Sequence, residues 1–172
     1  MPFGGNDWLA LTSEPTLEPE IPICDPHHHF WDRPDGRYLL DELLQDTSGG
    51  HRITETIFVE CSSMYRKDGP EDTRPVGETE FVQGIAAQSA SGQYGETKVA
   101  VGIVGYADLS LGDEVTVVLE SHIEASRNRF RGIRNSSCWN ENPEIRSHKN
   151  PMKGLLADQT FRKGFRALGK LG

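Results

Sequence analysis

Four times between residue 21 and residue 172, a short β-branched run is followed by a segment with helical spacing. "IPICDPHHHF" reads as a strand, and "YLLDELLQ" then places Leu39, Leu40, Leu43 and Leu44 on one helical face. "ITETIFVEC" is a second strand. It is followed by "GETEFVQGIAAQSA", with Phe81, Val82, Ile85 and Ala86 together. "KVAVGIVG" is a near-continuous apolar run, the pattern of a parallel strand covered on both faces. "GDEVTVVLESHIEAS" then aligns Val115, Val118, Leu119, His122 and Ile123. "FRGIRN" is a short strand, and "DQTFRKGFRALGKL" a basic amphipathic helix grouping Phe161, Phe165 and Leu168. Alternation of this kind specifies an α/β fold with a parallel sheet. Two outcomes satisfy it: a doubly wound sheet, or part of a (β/α)8 barrel, which needs eight such units. No glycine fingerprint follows the first strand, so a dinucleotide-binding fold has no positive support.

Composition narrows the class. The chain has 172 residues, 35% hydrophobic and 26% charged, enough for one ordinary soluble domain. Residues 1–20, with "TSEPTLEPE", read as an extended acidic arm, and residues 21–172 as the folded domain. No apolar run approaches a membrane span, and the N-terminus lacks a basic, apolar leader, so the expected location is cytoplasmic, with no membrane partner. A net charge of −8 argues against nucleic acid as partner. The charge is uneven: from residue 127 onward there are eleven Lys/Arg against three Asp/Glu, and before it seven against twenty-three. Pairing of opposite signs within one fold is the simpler reading, and a basic anion-handling surface the other. Cys24, Cys61 and Cys138 form no CxxC and read as buried reduced thiols.

The chemistry concentrates in "DPHHHFWD", residues 25–32. Side chains alternate along a strand, so His27 and His29 share a face with Asp25, and His28 takes the other. Two imidazoles at a strand end suit a borderline divalent ion, although a catalytic zinc usually has three protein ligands and an open position. The competing reading is three satisfied or surface histidines. Glu60 ends the second strand, where it would bind a substrate hydroxyl, orient a histidine, or pair with an arginine. Arg134 ends the fourth, where it would bind a carboxylate bidentately or form an inter-strand salt bridge. Asp108 suits a turn cap. Trp31, Tyr65 and Trp139 suit a pocket wall or ordinary packing. His122 reads as a core histidine, His148 as a solvated loop residue, and His51 precedes its strand, at the wrong end for chemistry. No G-x-S-x-G is present, so an acyl-serine mechanism has no support.

The ordered strings "DPHHHFWD", "TIFVECSSMYR", "PVGETEFVQGIAAQSASGQYG", "VGIVGYADL" and "FRGIR" resemble the amidohydrolase superfamily, in its amidohydrolase-2 (amidohydrolase-related) branch. Within that branch the likeness is to TIM-barrel metal-dependent hydrolases of the sugar-lactonase type, and it runs from about Ile21 to the last residue. The resemblance implies the N-terminal half of a (β/α)8 barrel, about four βα units. It implies a divalent metal, zinc or alternatively manganese, on His27 and His29, and a small-molecule substrate contacted by Glu60 and Arg134. Asn135 departs from the pattern, since lactonase-like relatives often carry histidine there. The family completes its site with later histidines and a general-base aspartate, which are expected beyond Gly172. The full-length protein is therefore expected to hydrolyse a lactone or related cyclic ester, and this chain alone to be inactive. The alternatives are a metal-dependent decarboxylase on the same barrel, and a non-catalytic fragment that needs a partner half-barrel, supplied by a second copy or a separate chain.

Overall fold

The structure is a computed structural model; it describes residues 11–12, 14–126, 128–142, 144–145 and 151–172. Its elements in chain order are β1 (Ile23–His28), the short pair β2 (Trp31–Arg33) and β3 (Gly36–Tyr38), α1 (Leu40–Thr47), β4 (Ile53–Val59), α2 (Val76–Ala90), β5 (Lys98–Gly105), α3 (Val115–Ala125), β6 (Phe130–Ile133) and α4 (Gln159–Lys170). One four-stranded sheet runs β1-β4-β5-β6, and every neighbouring pair is parallel. The chain is thus α/β with a parallel sheet. Among the described residues the strand order does not reverse, and they contain no switch point of the doubly wound kind. Right-handed crossovers between strands added in one direction place their helices on one side of the sheet.

That side holds the core. Phe58, Ala100 and Ile103 from the sheet, with Phe30 just after β1, meet Leu40 and Leu43 of α1 and Val82, Ile85 and Ala86 of α2. A second cluster joins Val115, Val118 and Leu119 of α3 to Phe161 and Ala167 of α4 through Ala107, Leu109 and Leu155. Gly164 permits this second cluster. A Cβ there would lie 2.2 Å from the Leu109 carbonyl oxygen, so only glycine lets α4 approach so closely. On the other side of the sheet, a Cβ on Gly102 would meet Ile57 and Arg131. Ile57 is half-buried and Arg131 exposed.

The edges of the elements follow local chemistry. Asp158 caps α4 by accepting from the Phe161 N–H at 2.8 Å, and Glu42 accepts from the Leu39 N–H at 2.8 Å at the start of α1. Pro26 brings no N–H to β1, and the β1–β4 register shifts between Asp25 and His28, across it. Ala100 is left-handed, with φ of 51°, and its N–H is taken by the Thr56 hydroxyl at 2.9 Å. That side-chain bond falls beside an irregularity in the β4–β5 ladder.

Several sequence expectations change. The segment "GDEVTVV" opens α3 with Asp113 and Glu114 just before its first residue, as expected, and residues 109–114 ahead of Val115 add a 3-10 stretch. Gly112, at φ 63°, kinks that stretch within itself. The β2–β3 pair lies where no strands were expected. Cys24 and Cys138 are exposed and Cys61 is buried; Cys24 lies in the edge strand β1 and Cys138 in the segment after β6. Phe165 does not share the burial of Phe161; it is 61% exposed. His148 lies outside the described residues.

Candidate functional site

The first strand divides its histidines as alternation requires. His28 is buried on the helix side, between the rings of Phe30 and Phe58, with Nε2 2.8 Å from the Thr56 hydroxyl. Burial pushes its pKa down to about 4, so the ring is neutral at ordinary pH. His27 is exposed and His29 half-buried, and their rings meet edge to face with centroids 4.9 Å apart. The His27 N–H is held by Asp25 Oδ1 at 3.1 Å.

His29 has a defined orientation. Its Nδ1–H donates to the Val59 carbonyl at 2.7 Å, where β4 ends. That bond leaves Nε2 as the nitrogen with a lone pair, and Nε2 has no hydrogen-bond partner among the described residues. A ligand histidine is commonly fixed through its other nitrogen in this way. Burial, the main cause, and the nearby positive Arg134 lower the His29 pKa, which favours the neutral ring that a metal needs.

The ends of the next strands converge on the same place. Glu60 follows β4 and is 1% exposed. Arg134 follows β6 and reaches across the end of β5, donating Nε to Glu60 Oε1 at 2.8 Å and Nη2 to the Glu60 carbonyl at 2.5 Å. The ion pair weighed for each residue from sequence is therefore the arrangement present. Glu60 is too buried for a substrate to touch it directly. Arg134 keeps a 38% exposed side chain beside His29.

The loop after β4 is built around a carboxylate that sequence reasoning missed. Glu78, in the first turn of α2, is 1% exposed. Its Oε1 accepts the N–H groups of Cys61 at 3.0 Å and Ser63 at 2.7 Å. These bonds hold a segment in which Ser62 and Met64 are both left-handed. The loop lies directly on Gly77, where a Cβ would come within 2.7 Å of the Arg66 nitrogen and the Met64 oxygen. Burial, more than any other cause, raises the Glu78 pKa, and the Glu60 carboxylate adds to it. The string "PVGETE" carried the signal: a glycine and a glutamate side by side at a helix start.

Beside the loop is a cavity of about 470 Å³ lined by Tyr65, Arg66, Arg74, Tyr106 and Asp108, among others. Burial pushes the Tyr106 hydroxyl up to about 12 and also raises Tyr65, with Glu60 adding to both. Asp108 caps its turn, accepting from Ser110 N–H at 2.8 Å. Asn135 donates to the Ala107 carbonyl. Trp31 packs its ring on Tyr38 and His29, and Trp139 lies under Lys153. His122 is fully buried: its Nε2–H donates to the Tyr106 carbonyl at 2.9 Å, Nδ1 lies 2.8 Å from the Thr79 hydroxyl, and Phe130 stacks on the ring. His51 is exposed ahead of β4.

As a metal centre this arrangement fits in part. His27 and His29 present two imidazoles of suitable chemistry, and His29 has its supporting bond. Among the described residues no group of three or more His, Cys, Asp or Glu is placed to hold one ion.

No family model matches the chain, and no solved structure matches it. Among curated proteins it is similar to the uncharacterized protein y4mH of Sinorhizobium fredii, 28% identical over 167 residues. The match covers 89% of this chain and 52% of y4mH, so the chain spans about half the length of that relative.

Proposed function

We propose that this chain forms the first four βα units of a (β/α)8 barrel hydrolase that opens a lactone or related cyclic ester. The observation that carries the reading is the gathering of His27, His29 and the Glu60–Arg134 pair at the C-terminal ends of β1, β4 and β6. Barrel enzymes assemble their sites at that end of the strands. The unreversed strand order supports the barrel over an open, doubly wound sheet.

Each residue has a task in this reading. His27 and His29 would hold a divalent ion, zinc or manganese, and the Val59 carbonyl fixes the His29 ring through Nδ1. When bound, such an ion polarises a carbonyl and lowers the pKa of a water toward neutrality. Glu60 fixes Arg134, whose exposed N–H groups bind a carboxylate or the lactone oxygen. Glu78 pins the Cys61–Ser63 loop and so sets the wall of the adjoining cavity.

The test is zinc titration alongside lactone turnover, with His27→Ala and His29→Ala compared with wild type in the protein carrying a complete site. Loss of both zinc binding and turnover, with folding intact, is the expected result. Unchanged turnover in both variants would refute the metal role, and release of carbon dioxide without lactone opening would select a decarboxylase instead.

A second reading is favoured by the ligand count. Two histidines are short of the three protein ligands usual for catalytic zinc. The chain by itself is then half a site, and catalysis belongs to an assembly that supplies the other half.

A further inference from the structure

The cavity of about 470 Å³ beside the loop after β4 has walls but no occupant in the reading above. Arg74 lines it, and the Nε of Arg74 is buried with no hydrogen-bond partner among the described residues. Among those residues no carboxylate is paired with Arg74 either. A buried N–H on a cation is costly to leave unmet, and native structures meet it with protein, water or a ligand. The other charged groups of the lining are accounted for. Arg66 is held by Glu80 of α2 through two hydrogen bonds. Asp108 accepts from the Ser110 N–H at 2.8 Å. Lys67, Glu71 and Asp72 are exposed, so they stand on the solvent side of the cavity.

Arg74 is held in place by its backbone. Its N–H donates to the Glu71 carbonyl at 3.2 Å, and its carbonyl accepts from Arg66 at 2.9 Å and Gly77 at 3.1 Å. These bonds tie it to the loop after β4 and to the first turn of α2. A donor on a fixed backbone loses less freedom when it meets a ligand. The facing walls are aromatic: Tyr65 and Tyr106 are half-buried and line the same space. Burial raises the pKa of both hydroxyls, with Glu60 adding to each, so neither is a phenolate that would oppose an anion. The influence of Glu60 on both tyrosines also sets the cavity next to the Glu60–Arg134 pair.

We infer that this cavity is an anion subsite in which Arg74 takes the carboxylate of a small ring-bearing organic acid, with the rings of Tyr65 and Tyr106 as its walls. A planar guanidinium matches a carboxylate. A phosphate dianion is disfavoured, because Glu71, Asp72 and Asp108 share the lining and repel a second negative charge. The consequence for substrate rests on the hydrolase reading above: the substrate is a lactone that bears a carboxylate away from the bond being opened. Arg134 then serves the reacting end and Arg74 the remote end. Two arginines at the two ends of one small molecule fix how its ring is presented.

The test uses the intact protein and benzoate, with benzamide as the uncharged isostere and inorganic phosphate as the competing anion. The readouts are the Arg74 Nε–H resonance, assigned by its loss in Arg74→Lys, and affinity by calorimetry. Benzoate should shift that resonance and bind about tenfold or more tighter than benzamide. Arg74→Gln should weaken benzoate binding by about the same factor, with the thermal melt unchanged, since the Arg74 Nε supports no protein group. Arg74→Lys keeps the charge and loses the Nε donor, so its affinity should fall between the two. Equal affinity for benzoate and benzamide overturns the proposal, as does equal affinity in wild type and Arg74→Gln. Tighter binding of phosphate than of benzoate overturns the carboxylate assignment. A resonance that no probe moves means that water alone meets Nε, and the proposal fails. The two readings fail separately. Arg74→Gln should raise KM for a carboxylated lactone about tenfold more than for an uncharged one. A protein that opens no lactone yet binds benzoate through Arg74 loses the hydrolase reading and keeps the subsite.

Discussion

His122 and His29 are the same residue type used in two opposite ways. Burial lowers the pKa of both rings, and both donate one N–H to a backbone carbonyl at the C-terminal end of a strand, Tyr106 for one and Val59 for the other. They part at the second nitrogen. That of His122 is met by Thr79 from α2, and the ring is capped by Phe130. That of His29 faces no protein partner among the described residues and stands beside His27 and Arg134. A histidine satisfied on both sides is part of the core. A histidine anchored on one side is oriented toward something else. The difference lies in how many neighbours complete the ring, and burial alone does not reveal it.

The sharpest way to break the comparison is to remove each ring. His122→Ala should cost about 3 kcal/mol, from the cavity and two orphaned hydrogen-bonding groups, read as a lower urea midpoint. The pH dependence of stability comes next. Burial holds the His122 pKa down to about 4, against about 6.5 for an unfolded chain. The unfolded state therefore binds more protons between those values. The contribution is fully present above pH 6.5, is lost as pH falls toward 4, and is constant below. His122 alone should account for about 3 kcal/mol across that window, and His122→Gln should flatten the urea-unfolding profile there. Glu78 tests the site's support. Glu78→Ala should cost about 2 kcal/mol by releasing two buried N–H groups, whereas Glu78→Gln keeps the acceptor and should cost under about 1, with thermal melts as the readout. The smallest stability effect belongs to His29→Ala, below about 1 kcal/mol; on the metal-site proposal, zinc binding should go with it. A large loss of stability there would make His29 a second His122.

The sequence showed the parts of this molecule that depend on repetition. The strands, the helices and the buried faces of α1, α2 and α3 follow from apolar spacing, and the separation of His28 from His27 and His29 follows from strand alternation. What it hid depends on single contacts between distant segments. Nothing in "VEC" and "RGIR" says that Arg134 spans β5 to reach Glu60. Nothing in the helical spacing of α4 shows that Gly164 seats it against Leu109 while Phe165 is left outside. Two signals were present and unread. "RPDGRY" has the proline, aspartate and glycine of a tight turn, and β2–β3 forms around it. Gly112 marked the kink within residues 109–114.

The unreversed strand order has a consequence for how the chain is made. Each strand of the parallel sheet pairs with the strand of that sheet synthesised before it, so no unit must wait for a later segment to make its first sheet contacts. A ribosome releasing the chain from its N-terminus would let β1–β4 form first, then add β5 and β6 in turn. Among the described residues the last strand of this sheet is the four-residue β6. Amide hydrogen exchange should accordingly be slowest in β4 and β5, which are paired on both sides, and fastest in β6, where the growing sheet is still an open front.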